Sequence, residues 1–182
     1  VVLLAPSVVM VFLAGLSMRW LLGAALIGLP VVACAIALQP YRQKRLLAFL
    51  HPEAAPLGHG FQLLQSLIAI GSGGLLGLGP GQSVQKLHFL PSPHADFVFS
   101  IVAEELGFLG AALFVGLFGV LLWRGVEAGR AAPDLFGRAL AWGLTSLLVG
   151  QALVHMSGAL GLLPTTGVPL PFVSHGGSSM VS

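Results

Sequence analysis

The chain is predicted to be an all-α integral membrane protein, a polytopic helix bundle with a large outer loop containing re-entrant or interfacial helices. Three observations predict this. Apolar residues make up 56% of the 182 and charged residues only 8%, against roughly 25% charged in an ordinary soluble domain. The mean hydropathy is +0.96. No stretch alternates as a lipid-facing strand must, which excludes a β-barrel. Eight cationic and six anionic side chains are too few to cover a soluble globule, and the same composition excludes disorder. A net charge of +2 gives no case for nucleic acid. The single cysteine, Cys34, excludes a disulfide framework and a Cys-based zinc site.

Four apolar stretches are the candidate spans: 1–16, 21–38, 97–123 and 139–163. A hydrocarbon core of ~30 Å takes about 20 helical residues. The third and fourth stretches are long enough. The second carries Pro30, a defect that neighbouring helices repair. The first is short and starts at Val1 without a methionine or a basic leader, so it reads as a helix cut in its middle. The chain is therefore expected to be a piece of a larger membrane protein.

The connections are unequal. Residues 17–20 read as a tight turn carrying Arg19, and 124–138 as a short polar loop with Arg124, Arg130 and Arg138. These hold four basic residues in 19 positions, whereas the segment 39–96 holds four in 58. The positive-inside rule makes the short connections cytoplasmic, so the loops 39–96 and 164–179 face outward together. Within the first outer loop, Phe61–Ile70 is an apolar half-length helix running into Gly71, Gly73, Gly74, Gly77, Gly79 and Gly81. Irregular backbone at membrane depth is tolerated only against protein or a wet cavity, which makes this segment the first place to look for a site.

The chemistry-bearing residues cluster on the outer side. Asp96 stands at the mouth of the third span, as a helix cap or as a functional group. Glu104 and Glu105 follow two turns later. Neighbours on a helix point about 100° apart, so one can face a cavity while the other bonds a neighbouring helix. Arg42 and Lys44 suit headgroup anchoring. Arg45 and Lys86 are better placed for a phosphate-bearing ligand, to which arginine presents a bidentate fork. His88, His94 and Asp96 have a spacing a divalent cation could use, against the reading of ordinary loop histidines. His155 inside the fourth span reads as a helix–helix hydrogen-bond partner; His175, on a loop beside glycines, fits either role. Prolines 164, 169 and 171 break the last outer segment.

Two long stretches then carry a resemblance. GLGPGQSVQKLHFLPSPHADFVFSIVAEELGFLG (Gly77–Gly110) and GLLPTTGVPLPFVSHGGSS (Gly161–Ser179) resemble the signatures of the SEDS family, which includes FtsW and RodA. PYRQKRLLAFLHP with GFQLLQSLIAIGSGG looks like that family's outer loop, and GQSVQKL is closer to FtsW than to RodA. The resemblance implies a fold of about ten membrane helices, of which this chain covers the second half. It implies a multi-pass protein of the bacterial cytoplasmic membrane that polymerises lipid II into glycan strands on the outer side, for division or cell shape. It also implies a class B penicillin-binding transpeptidase as partner, with other division or elongation proteins and membrane lipid around it.

The family's outer-loop aspartate aligns with Asp96, the expected general base. The residues expected to bind substrate are Ser83, Gln85, Lys86, His94, Arg45 and Glu105, with Ser174, Gly176, Gly177 and Ser178 from the second motif. Arg45 and Lys86 would face the pyrophosphate leaving group, and a Mg²⁺ or Mn²⁺ ion could share that load. Ser92, Ala95, His155 and His175 depart from the family's usual residues. Two other classes compete: a transporter that flips lipid II, and a scaffold of the division machinery.

Overall fold

A computed structural model describes residues 18–51, 59–82, 97–164, 167 and 169–173. Five α-helices lie in these residues: α1 (Met18–Ala37), α2 (Pro40–Leu50), α3 (His59–Ser72), α4 (Val98–Ala131) and α5 (Leu135–Ala159). No strand occurs among the described residues. The first candidate span, 1–16, lies outside them.

The helix bounds revise the expected connections. Helix α1 already starts at Met18, so Arg19 and Trp20 sit in its first turn rather than in a tight turn before it. It runs through Pro30 without interruption. The polar loop expected over 124–138 is mostly helix: α4 continues to Ala131 and α5 begins at Leu135. Arg124 and Glu127 lie one turn apart on α4 and pair at 3.0 Å, a spacing that favours helix over loop. The reversal is confined to Ala132-Pro133-Asp134. There Asp134 Oδ2 accepts the Gly137 N–H at 2.9 Å, capping the start of α5.

Helix α5 also ends earlier than the apolar run, at Ala159 rather than 163. The Leu162 N–H reaches back to Ser157 O at 2.8 Å and the Gly161 N–H to Gly158 O at 3.2 Å, with Gly161 at φ 69°. This is a Schellman closure, and Pro164 follows where the helix cannot resume.

The chain divides into two compact units. The first comprises residues 1–44 and 119–150. Its described packing is a helix pair, the later part of α4 against the earlier part of α5. A side chain at Gly125 would run into Thr145, and one at Gly129 into Trp142. Small residues there let the two backbones approach, as helices do in lipid. The Trp142 Nε1–H donates to Val126 O at 3.2 Å.

The second unit comprises residues 45–118 and 151–182. Its core joins α3, the early part of α4 and the end of α5 through Leu63, Ala69, Phe99, Ala103, Met156 and Ala159, all buried. Ser66 ties the three helices: its hydroxyl donates to Ala159 O at 2.7 Å and lies 2.6 Å from the Ser100 hydroxyl. A hydroxyl carries one proton, so Ser100 is the donor to Ser66.

Helices α4 and α5 are long and apolar enough to cross a membrane. Large apolar side chains remain exposed along them, among them Leu113, Leu117, Trp123, Leu144 and Leu153. In water such surface would be costly; in hydrocarbon it is solvated.

Candidate functional site

Helix α4 is not continuous. Gly107 stands inside it at φ 67°, ψ −167°, dividing it into residues 98–106 and 108–131. At 1.5 Å per residue, residues 108–131 alone rise about 36 Å, enough for a ~30 Å core. The break therefore falls at one end of the spanning length. There is no proline in α4 to cause it.

A break of this kind opens two helical hydrogen bonds, those from the N–H groups of residues 108 and 109 to the carbonyls of 104 and 105. The glycine-rich segment after α3 takes up all four groups. The Leu78 N–H donates to Glu104 O at 3.0 Å and the Gly79 N–H to Glu105 O at 3.0 Å. In return the Phe108 N–H donates to Gly74 O at 2.9 Å and the Leu109 N–H to Leu75 O at 3.3 Å. Unsatisfied backbone groups in an apolar setting cost several kcal/mol each, so this strap, residues 73–79, makes the break tenable.

The approach is close enough to exclude side chains. A Cβ at Gly77 would meet Glu105 O and Gly107 N, and a Cβ at Gly107 would meet Gly77 N and Leu75 O. Both residues also have positive φ, 81° at Gly77 and 67° at Gly107, which L side chains disfavour.

The two glutamates sit at this joint. Glu104 is 1% exposed and engages a partner. Glu105 is half-buried, and its Oε1 is shielded from solvent with no hydrogen-bond partner among the described residues. Adjacent acids thus occupy different surroundings, the division expected from their 100° offset. Gln151, on α5, donates through Nε2 to Pro169 O at 2.8 Å, which ties the segment after α5 back to that helix. His155 is buried and has a partner.

Beside the strap lies a cavity of about 470 Å³ whose lining includes Ile70, Gly74, Phe99, Ala103, Phe108 and Val115. Its walls carry no polar side chain, so it suits hydrocarbon and not a sugar. Ala103 and Phe108, in its wall, flank the stretch that holds the glutamates.

Most of the residues singled out from the sequence lie elsewhere. Ser83, Gln85, Lys86, His88, His94 and Asp96 are outside the described residues, and so are Ser174, His175, Gly176, Gly177 and Ser178. Arg45 falls within α2, with its side chain outside the description. Of the expected substrate-binding set, Glu105 is the one whose side chain is placed. Among the described residues, no three His, Cys, Asp or Glu side chains are grouped to hold a metal ion; the donors suggested by the sequence, His88, His94 and Asp96, are not among them. The break at Gly107 and its strap were not foreseen. Their signal is present as a run of glycines after α3 and a lone glycine behind the acid pair.

Comparison with known proteins agrees with this architecture. The family model for FtsW, RodA and SpoVE, described as cell cycle protein, matches residues 1–182. Stage V sporulation protein E of Bacillus subtilis (strain 168) is 46% identical over 179 residues, covering 98% of this chain and 49% of that protein. A probable peptidoglycan glycosyltransferase FtsW of Alkalilimnicola ehrlichii is 48% identical over 186 residues, covering 99% and 46%. A chain in the structure described as "Structural coordination of polymerization and crosslinking by a peptidoglycan synthase complex" superposes with a TM-score of 0.75 at 41% identity, covering 99% of this chain and 50% of that one. The chain thus spans about half the length of the relatives it matches. An all-helical apolar body, a family match over the whole length and relatives at 46–48% identity lead to one assignment: the chain belongs to the FtsW/RodA/SpoVE family, the SEDS proteins.

Proposed function

We propose that the protein is a peptidoglycan glycosyltransferase of the bacterial cytoplasmic membrane that polymerises lipid II into glycan strands on the outer side, with Asp96 as its general base. The observation that carries this reading is the acid pair held at the strapped break of α4, in the short helical stretch that follows Asp96 in the chain. Ionisable groups buried in an apolar helical protein mark a candidate functional site. The names of its relatives supply the reaction class.

In this mechanism Asp96 takes the proton from the 4-hydroxyl of the acceptor sugar. That oxygen attacks the donor's anomeric carbon from the face opposite the leaving group. The bond from that carbon to the pyrophosphate oxygen breaks, and undecaprenyl pyrophosphate departs with inversion. A positioned base typically contributes ~10²–10⁴-fold. Arg45 and Lys86 would stabilise the negative charge that develops on the diphosphate. Glu105, with a shielded carboxylate oxygen facing no described donor, would accept from a sugar hydroxyl. The apolar cavity beside the strap suits a hydrocarbon chain, as a lipid-linked substrate requires. A class B penicillin-binding transpeptidase is the expected partner.

The transporter reading predicts polar groups free to line a path through the membrane. Three polar side chains of α5 are instead engaged: Thr145 and Ser146 bond carbonyls of their own helix, and Gln151 bonds Pro169 O. This supports surface chemistry over transport. The test is lipid II polymerisation by the full-length parent with its transpeptidase partner, wild type against Asp96→Asn at equal membrane levels. Glycan product from the wild type and none from the variant is expected. Product from both would move the base elsewhere.

A further inference from the structure

We propose that the break at Gly107 and the 73–79 strap form a positioning clamp for the reaction, with Gly77 and Gly107 as its positioning residues. The proposal rests on the polymerase reading.

The clamp is reciprocal. Two strap N–H groups, of Leu78 and Gly79, go to carbonyls of α4, and two α4 N–H groups, of Phe108 and Leu109, go to carbonyls of the strap. A slip of one residue would unmatch all four, so the register is locked. The carbonyls held from the strap belong to Glu104 and Glu105. Their backbone is therefore set by the strap and not by the spanning part of the helix. The same short segment, 98–106, starts after Phe97, which is 2% exposed and accepts the Ser100 and Ile101 N–H groups. Asp96 precedes Phe97 in the chain. Orienting this segment orients both the acid pair and the chain end from which Asp96 departs.

Nothing in the local sequence of α4 demands an interruption, and a continuous helix would satisfy the same backbone groups with fewer constraints. The structure instead keeps an alternative that only glycine permits at two facing positions. Backbone held away from its ordinary conformation clusters at functional sites, where the arrangement it imposes is part of the mechanism. Gly116 provides the contrast. It lies on α4 in helical conformation with nothing within 4 Å of an added Cβ.

The experiment uses the full-length parent with its transpeptidase partner and lipid II as substrate. The variants are Gly107→Ala, Gly77→Ala and the milder Gly79→Ala, with Gly116→Ala as control and Asp96→Asn alongside. Gly79 has φ 108°, yet an added Cβ would meet nothing closer than Gln82 at 3.8 Å, so that variant strains the strap without a collision. Displacing reacting groups by about 1 Å costs on the order of 10²-fold. The expected result is therefore a ~10²-fold loss of kcat for Gly107→Ala and Gly77→Ala, a smaller loss for Gly79→Ala, and KM within about twofold of wild type in all three. Partner co-purification is retained, and Gly116→Ala matches the wild type.

Folded strap variants with wild-type kcat would overturn the clamp, as would a rise in KM with kcat unchanged. If Gly107→Ala and Gly77→Ala fail to reach the membrane, Gly79→Ala decides. Its loss from the membrane as well would leave the strap a purely structural role and overturn the proposal. An inactive wild type, or an Asp96→Asn variant that still polymerises, would instead strike the underlying reading, and these outcomes are distinct from those that strike the clamp.

Discussion

Residues 119–131 and residues 98–109 of α4 both approach a neighbouring segment through glycine, but what they approach differs. In the first, Gly125 and Gly129 face the side chains of Thr145 and Trp142 on an intact helix. In the second, Gly77 and Gly107 face each other's backbone across a broken one. A side chain can change rotamer; a backbone hydrogen-bonded on both sides cannot move without losing its partners. The intact stretch carries its charge on the surface, where Arg124 and Glu127 pair with side chains 69% and 55% exposed. The broken stretch buries a carboxyl group, at Glu104. Regular packing goes with an exposed ion pair, and irregular packing with the buried acid.

Three substitutions sharpen this contrast, beyond those at Asp96 and in the strap. The largest effect is expected from Gly125→Leu. It would force apart the α4–α5 pair at Thr145 and cost about 1–3 kcal/mol as an overpacked contact. Thermal unfolding in detergent should show a clear loss of stability, with lipid II turnover per folded molecule retained. A turnover defect at full stability would show that the intact stretch also serves the reaction. Ser66→Ala comes next. It removes the donor to Ala159 O and the acceptor for Ser100, at a cost of about 1–2 kcal/mol. Hydrogen exchange should rise in α3 and at the end of α5, and unchanged protection there would discount the three-helix tie. Arg124→Ala is the smallest. An exposed pair one turn apart contributes below about 0.5 kcal/mol, so the melting temperature should stay within measurement error. A large drop would mean that Arg124 makes contacts beyond Glu127 and its stacking on Trp123.

Much of the fold could be read from the chain. The apolar runs coincide with helices α1, α4 and α5, and α4 and α5 have the length and hydrophobicity that a spanning helix needs. Phe61–Ile70 announced α3, since an apolar stretch too short to span and ending in glycines has few other uses. The ends were read less well. Polar residues at 124–131 suggested a loop, yet arginine and glutamate are good helix formers and a helix leaving the hydrocarbon does not stop there. The apolar tail 160–163 suggested more helix, yet Gly161 closes α5 by a left-handed cap.

The site divides in the same way. Glu104 and Glu105 were legible as a pair in different surroundings, because helical geometry separates neighbours by a fixed angle. The strap's glycines were legible as irregular backbone, but the stretch they would pair with was not. The strap's four hydrogen bonds join residues 74–79 to 104–109, and main-chain donors and acceptors carry no residue-specific signature.

Asp96 is the candidate base by family resemblance; composition and local pattern determined the membrane class, the helices and the family motifs. Each of these depends on residue type or on neighbours within a turn or two. Only the tertiary structure decided that α4 breaks at Gly107 and that the segment 73–79 repairs it. Two distant stretches had to meet before the freed backbone groups of one could be satisfied by the other.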